Sequence, residues 1–193
     1  MPERVNPSDW ELVQRAQVGD RDAFRELVER YQGKVAALAV GMLRNQEDAL
    51  DVVQEAFTRA YQGLDRFKGD ASFYTWVYRI AVNLCIDHQR RETKFPQVPL
   101  EAGERGEAPL DVVPGGGRQN EPFERARDAE IARRIERAIA ELTPEHQAVI
   151  LLREVEGLSY EEISRVLDCP KGTVMSRLHY ARRHLQVRLK GLL

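Results

Sequence analysis

Residues 159–185 read SYEEISRVLDCPKGTVMSRLHYARRHL, and this stretch predicts two short helices joined by a tight turn. Ser159 and Glu162 have the spacing of a capping box, so we expect the first helix to begin immediately after Ser159. Asp168 ends that helix. Pro170 suits the first turn of the next helix, where its missing N–H costs nothing. The pattern is that of a helix-turn-helix.

The second helix of this motif has two contrasting faces. At about 100° per residue, one face collects the apolar side chains Val174, Leu178, Ala181 and Leu185. The opposite face carries the small and hydrogen-bonding residues Gly172, Ser176, His179, Tyr180 and Arg183. Two arginines, Arg177 and Arg182, flank the apolar stripe. A helix of this kind, packed on one side and polar on the other, is suited to entering a DNA major groove.

Charge is distributed unevenly around the motif. Residues 170–193 contain six Lys or Arg and no acid, whereas residues 143–168 contain six acids and two bases. An ordinary helical hairpin with a solvated basic face would also produce a basic run. The capping box, the turn with proline, the apolar stripe and the charge asymmetry together favour DNA binding.

Composition limits the classes of protein that this chain can represent. Its 193 residues suffice for one large or two small domains, and a net charge of −2 means that any DNA affinity comes from local patches. The first residues contain no apolar run, and no stretch approaches the ~18 apolar residues of a membrane span. We therefore expect a cytoplasmic protein without signal peptide or membrane insertion.

The two cysteines, Cys85 and Cys169, lie far apart in the sequence, as is typical of a reduced intracellular protein. Cys85 and His88 have a spacing at which two side chains on a helix can share a metal ion. No second pair of ligands accompanies them, so the sequence does not predict a zinc site. We expect no metal and no cofactor.

Residues 9–91 have the pattern of an all-helical domain. Three helices are predicted from apolar residues at three- and four-residue spacing, around residues 24–42, 49–61 and 73–84. No alternating strand pattern occurs. Residues 92–122 differ, because ten of these 31 residues are Pro or Gly, which predicts a flexible linker.

Helical patterning resumes in residues 123–193, with Ile131, Ile135 and Ile139 at four-residue spacing and a further helix over about 144–155. The sequence thus predicts an all-α protein of two small helical domains, residues 1–91 and 123–193, joined by the linker.

The third predicted helix of the first domain also has two faces. Trp76, Ile80 and Leu84 are expected in the core, and Thr75, Arg79, Asn83 and Asp87 form a polar stripe. The loop before it, residues 66–72, combines aromatic, basic and small residues. Together with Tyr74 and Tyr78, the loop could follow a nucleic-acid strand by stacking and phosphate contacts, or the tyrosines could simply pack in the core.

The second predicted helix concentrates acidic and polar residues on one side. They are Glu47, Asp48, Asp51, Gln54 and Glu55. Such residues near a helix N-terminus could compensate the helix dipole. Alternatively, they form a docking face for a basic surface of another protein.

Four strings in this order carry a family resemblance: DVVQEAF at 51–57, FYTWVYRIAVN at 73–83, LSYEEI at 158–163 and GTV at 172–174. With the linker between the second and third, they resemble the extracytoplasmic-function sigma factors. These are the small two-domain initiation factors of bacterial RNA polymerase. The resemblance runs through nearly the whole chain outside the linker.

The resemblance implies a role for each surface. Asp48, Asp51, Gln54 and Glu55 are expected to bind the clamp helices of the largest subunit of core RNA polymerase. The single-stranded −10 promoter element is expected to contact Phe67, Lys68, Ser72, Arg79 and Asn83. The double-stranded −35 element is expected to contact Lys171, Thr173, Ser176, Arg177, His179, Tyr180, Arg182 and Arg183.

The resemblance also implies regulation by an anti-sigma factor, which could hold the protein at the inner face of the membrane. Positions 175 and 180 depart from the family pattern, because Met175 and Tyr180 stand where arginine is common. The exact −35 sequence is therefore not predicted. Three other classes of protein are alternatives: a dimeric helix-turn-helix regulator, a protein-binding helical adaptor and an enzyme. None explains all the surfaces, and no catalytic motif is present, so we expect a non-enzyme.

Overall fold

The computed structural model describes residues 7–94 and 122–190, and the regular structure in these ranges is entirely helical. The helices are α1 (Asp9–Gln17), α2 (Arg21–Leu43), α3 (Gln46–Gly63), α4 (Phe73–Lys94), α5 (Pro122–Ala140), α6 (Pro144–Glu154), α7 (Tyr160–Leu167) and α8 (Lys171–Arg188). A short 3-10 helix, Leu64–Arg66, follows α3. The all-α prediction is confirmed. Within the described ranges, no helix combines the length and apolar character that crossing a bilayer requires.

Helix α4 continues three residues beyond the predicted end of the first domain at residue 91. Residues 92–94 contain no proline or glycine, and the first breaker after them is Pro96. The residue before a proline is disfavoured in the α conformation, so the helix can persist almost to that point. Helix α5 starts at Pro122, since proline is tolerated in the first turn. The rest of the predicted linker, 95–121, lies outside the described residues.

The first helices of the chain begin at side-chain caps. The side chains of Ser8, Asp20 and Asn45 accept hydrogen bonds from backbone N–H groups at the starts of α1, α2 and α3. Helix α1 was not predicted as a separate helix. The sequence nevertheless marks its start, because Ser8 and Glu11 form a complete capping box.

Helices α1–α4 form the first unit. In this unit, an aromatic cluster connects the loop before α4 to the core. Phe73 at the start of α4 is 2% exposed. Its ring lies edge-on to Phe24 at 6.4 Å, Phe67 at 6.3 Å and Trp76 at 5.9 Å between centroids. Edge-to-face pairs at such distances are favourable beyond the area that they bury. The loop before α4 is therefore anchored by the same cluster that fills the core.

Helices α5–α8 form the second unit, in which α7 and α8 make the predicted helix-turn-helix. Ser159 and Glu162 form a capping box at the start of α7, as expected. Asp168 ends α7 in the left-handed conformation with φ 48°. The buried stripe of α8 is confirmed for Val174, Leu178 and Ala181, while Leu185 is half-buried.

The two units pack against each other. Helix α4 lies on α6 and α7, and α2 lies on α6. The buried apolar residues of both units belong to one continuous cluster. A Cβ atom added to Gly41 would lie 3.1 Å from Leu151 Cδ1, so the backbone of α2 approaches this side chain closely. The sequence predicted two domains but not this contact.

Candidate nucleic-acid interface

Helix α8 presents the predicted DNA-facing residues to solvent. Ser176, His179, Tyr180 and Arg183 are all exposed. The Tyr180 ring lies 4.7 Å from the His146 ring, and this contact orients a side chain that is 55% exposed. Met175 is 52% exposed on the same helix. The two residues that depart from the family pattern thus lie on the accessible surface of the helix.

Two basic side chains of α8 form ion pairs with acidic neighbours. Lys171 pairs with Glu161, and its hydrogen bond keeps the pKa of Glu161 below its ordinary value. Arg182 Nη2 lies 2.7 Å from Glu154 Oε1. Ion pairs as exposed as these are weak, so a DNA phosphate can replace the carboxylate at little cost. Thr173 and Arg177 are half-buried at the edge of this surface.

The loop before α4 contains both enclosed and accessible residues. Phe67 is 9% exposed, and its ring centroid lies 4.9 Å from that of Trp76. The ring is enclosed by the aromatic cluster, which differs from the expectation that it contacts DNA. Lys68 and Ser72 are exposed, as expected. Gly69 has φ 80°, and a Cβ atom there would lie 2.8 Å from the Trp10 ring, so this turn requires glycine.

Helix α4 carries the predicted polar stripe with one correction. Arg79, Asn83 and Asp87 are exposed, but Thr75 is only 3% exposed. The Ser72 hydroxyl accepts a hydrogen bond from the Thr75 N–H at 3.1 Å, so these residues begin the helix rather than form part of its outer face.

The buried positions of α4 differ in part from those expected. Leu84 is buried as expected, whereas Trp76 and Ile80 are only half-buried. Tyr78 is fully buried, and Tyr74 is half-buried with its pKa raised to about 12, mainly by that burial. Both tyrosines pack, so neither presents a free ring for stacking. The helix is enclosed on more sides than periodicity predicts, because the second unit covers it too.

The acidic surface of α3 is accessible. Asp51, Gln54 and Glu55 are exposed, and Glu55 pairs with Arg59 at 2.7 Å. Asp48 is half-buried, with Oδ1 3.5 Å from His88 Nε2. The sequence analysis missed Leu50, which is 56% exposed beside these residues. Leu50 could have been identified from its position four residues before Gln54, which places an apolar side chain on an otherwise polar helix face.

Cys85 and His88 face different surroundings. Cys85 is fully buried, and burial raises the pKa of its thiol to about 12, so it packs as a small apolar residue. One ligand atom each from Asp48, His88 and Glu92 lies within 4.8 Å of the others. Cys85 does not belong to that group.

Comparison with known proteins connects these surfaces to a family. Residues 27–95 match Sigma-70 region 2, and residues 132–185 match Sigma-70 region 4. The ECF RNA polymerase sigma-E factor of Escherichia coli strain K12 is 40% identical over 192 residues, 96% of each chain. The RNA polymerase sigma-H factor of Pseudomonas aeruginosa is 41% identical over 96% of this chain and 95% of its own.

The chain belongs to the ECF sigma factors. Its helices α3 and α4 lie within region 2, and the helix-turn-helix lies within region 4 up to Leu185. The acidic α3 surface and the α4 surface are therefore region 2 features of an ECF sigma factor, and the α8 surface is a region 4 feature.

Two solved structures have the same architecture. CnrH in complex with the cytosolic domain of CnrY aligns with a TM-score of 0.68 and 25% identity, over 94% of this chain and 97% of CnrH. The sigma factor RpoE of Bartonella quintana, in complex with the anti-sigma factor NepR, aligns with a TM-score of 0.64 over 87% of this chain and 97% of its own. At 21% identity, the second likeness concerns the fold alone.

Proposed function

We propose that this ECF sigma factor binds core RNA polymerase through α3 and reads promoter DNA through α4 and α8. The observation that supports this most directly is the separation of three accessible surfaces on three helices. One is acidic, around Asp51 and Gln54, and two carry basic and hydrogen-bonding side chains. As an initiation factor the protein has no catalytic role of its own.

Region 4 is assigned to the −35 element. The exposed side chains of Ser176, His179, Tyr180 and Arg183 can reach base edges when α8 enters the major groove. Lys171, Thr173, Arg177 and Arg182 contact phosphates at the groove edge and set the position of the helix. Met175 and Tyr180 add apolar and aromatic contacts where arginine is common in the family, which alters the base preference.

Region 2 is assigned to the −10 element. Lys68, Ser72, Arg79 and Asn83 lie on the accessible part of the loop and of α4, where they can bind a strand that has left the duplex. Taking a base out of the stack costs a few kcal/mol of stacking free energy. Contacts to the edge of the base offset this cost only when the base is the correct one. Phe67 supports the loop from inside and positions these side chains.

The acidic α3 surface is assigned to the clamp helices of the largest polymerase subunit. Exposed carboxylates at Asp51 and Glu55 offer charge complementarity to a basic partner, and the exposed Leu50 adds an apolar contact. Asp48 borders the same surface.

An anti-sigma factor is the expected regulator. CnrH, which shares this fold and 25% of its residues, is bound to the cytosolic domain of CnrY in its solved structure. We propose a partner of that type for this chain, located at the inner membrane face, which keeps the sigma factor in the cytoplasm.

In vitro transcription with purified core polymerase tests the proposed function. We expect promoter-specific transcripts from a genomic library only when the sigma factor is added. The double variant Asp51→Arg with Gln54→Arg should reduce polymerase binding at least tenfold, because it reverses the charge of the α3 surface.

Glu29→Arg with Gln32→Arg is the matched control. It replaces one acidic residue and one glutamine at the same spacing, on an exposed part of α2. If the α3 variant binds polymerase as well as this control in a pull-down, the assignment of the α3 surface is wrong.

A further inference from the structure

The first helix carries an aromatic side chain that none of the surfaces assigned above includes. Trp10 of α1 is 44% exposed, whereas tryptophan side chains are on average highly buried. Helix α1 also lies outside residues 27–95, the part of the chain that matches Sigma-70 region 2. Core packing therefore accounts for only part of this side chain.

Trp10 lies against the loop that precedes α4. A Cβ atom on Gly69 would lie 2.8 Å from Trp10 Cζ3 and 3.1 Å from Cη2, so the loop backbone approaches the six-membered ring of the indole. The ring centroids of Trp10 and Phe67 are 6.4 Å apart. Lys68, which lies between Phe67 and Gly69 in the chain, is exposed. An exposed aromatic ring therefore lies beside the loop residues that flank an exposed cation.

Gln17, at the other end of α1, binds the backbone of the same loop region. Its side-chain Nε2 donates hydrogen bonds to the carbonyl oxygens of Leu64 and Phe67, both at 2.9 Å. Positions seven residues apart lie on one face of a helix, so Trp10 and Gln17 contact this region from the same side. The loop is thus held against α1, and little ordering is required before the ring and Lys68 can bind a ligand together.

The two acidic residues next to Trp10 in the sequence have partners within the protein. Asp9 pairs with Arg30 at 3.0 Å, so a guanidinium compensates its charge. Glu11 accepts hydrogen bonds from the backbone N–H and the hydroxyl of Ser8 at 2.7 Å and 2.9 Å. This carboxylate lies in the first turn of α1, where the helix dipole also compensates its charge. Both compensations limit the repulsion that a phosphate near Trp10 would meet.

We propose that Trp10 is a further DNA-binding residue, on which one base of the single-stranded −10 region stacks while Lys68 contacts a neighbouring phosphate. This inference rests on the proposed −10 role of the loop and of α4, and it extends that surface to α1. Stacking on an aromatic side chain is tolerant of sequence, because every base has a π face. Trp10 therefore adds affinity for the opened strand, while the base preference remains with residues such as Asn83.

Stacking on Trp10 favours the open promoter over the duplex. Within duplex DNA, neighbouring bases cover both faces of each base, so the indole gains a partner only after a base has left the stack. A contact that is made only with the open form shifts the equilibrium toward that form. Trp10 should therefore affect binding of the opened strand and not binding of the closed duplex.

A pair of substitutions distinguishes stacking from a purely structural role of Trp10 as a cover for Gly69. Trp10→Phe retains an aromatic face, whereas Trp10→Leu retains an apolar cover without a π face. The probe is a promoter fragment recovered from the in vitro transcription assay, with its −10 segment made permanently unpaired by mismatches. Holoenzyme assembled from each full-length variant and core polymerase is titrated against this fragment, and urea denaturation measures the stability of each variant.

We expect the leucine variant to bind the unpaired fragment about tenfold more weakly than the phenylalanine variant, because it lacks one base–aromatic stack. A structural role predicts equal binding by the two variants. If they bind the unpaired fragment equally, or if their difference in binding only follows a loss of folded protein in urea, the stacking proposal is wrong.

Photocrosslinking locates the contact directly. 5-Iodouracil is placed in turn at each unpaired position of the non-template strand, where irradiation joins it to an aromatic side chain stacked on it. We expect at least one position to crosslink to the peptide that contains Trp10. The crosslink should persist in Trp10→Phe and disappear in Trp10→Leu. Crosslinks to other residues from every position, with none to α1, would overturn the proposal.

The proposed function and this inference fail in different ways. If the wild-type chain initiates no transcripts with core polymerase, the proposed function fails and the stacking proposal fails with it. If the wild-type holoenzyme initiates and binds the unpaired fragment, but Trp10→Leu binds as tightly as Trp10→Phe, only the stacking proposal fails.

Discussion

Phe67 and Lys68 are neighbours in the chain but lie in different environments. The ring of Phe67 is enclosed among Phe73 and Trp76, whereas Lys68 is exposed. A basic and aromatic loop can touch DNA through either side chain, and only burial distinguishes them. The structure therefore divides the loop into an enclosed residue and an accessible one.

This division gives a prediction at the residue scale. Phe67→Ala should lower the free energy of unfolding by about 3 kcal/mol, because it removes a buried ring from a packed cluster. Lys68→Ala should change it by less than about 0.5 kcal/mol but weaken promoter opening. Urea denaturation and in vitro transcription measure the two effects. A Phe67→Ala protein of wild-type stability would show that the ring does not support the loop.

Asn83 gives a second prediction at this scale. Its exposed amide can form hydrogen bonds with the edge of an unstacked base. Such a base is available only after the duplex opens. Asn83→Ala should therefore reduce permanganate reactivity of the −10 thymines about tenfold while leaving closed-complex binding nearly unchanged. Equal reductions in both measurements would mean that Asn83 acts before opening.

At the scale of the element, the start of α7 depends on two side chains. The Ser159 hydroxyl and backbone N–H both donate to Glu162, and the hydroxyl accepts from the Glu162 N–H. These hydrogen bonds lower the pKa of Glu162. The capping box therefore sets where the helix-turn-helix begins and couples its stability to pH.

The sign of this coupling follows from the lowered pKa. A depressed carboxyl pKa adds stability above the ordinary value of 4.5, and that contribution is lost as the pH falls through the folded-state pKa. Ser159→Ala should cost about 1 kcal/mol near pH 7, and part of this cost should disappear as the pH falls through the lowered pKa of Glu162. Urea denaturation across this pH range measures it. Ser176→Ala, on the exposed face of α8, is the control. A cost that grows on acidification would contradict the prediction.

At the scale of the whole molecule, the two surfaces that we propose to read DNA belong to different units that pack on each other. Neither surface is large. One surface increases the DNA affinity of the other only when both can bind one promoter at the correct separation. In this structure, α4 packs against α6 and α7 of region 4. We therefore expect that polymerase is needed to present both surfaces together.

We accordingly predict that the free full-length chain gives no sequence-specific shift of a duplex promoter fragment at micromolar concentration. Addition of core polymerase should increase promoter affinity by at least 100-fold, because the second contact becomes intramolecular. Gel-shift titrations with and without core polymerase measure this effect. A nanomolar, sequence-specific complex of the free protein would contradict it.

The sequence by itself determined most of the helices, the helix-turn-helix and the family, because capping boxes, prolines and apolar spacing act within a few residues along the chain. The local sequence was sufficient to predict the roles of Ser159, Pro170 and the apolar stripe from Val174 to Ala181. Only the tertiary structure decided which side chains remain accessible. Phe67 and Tyr78 have the same local pattern as exposed neighbours, but Trp10 and Glu156, which are distant in sequence, contact them. The pairing of Asp168 with Arg79 joins positions 89 residues apart, which no local spacing encodes.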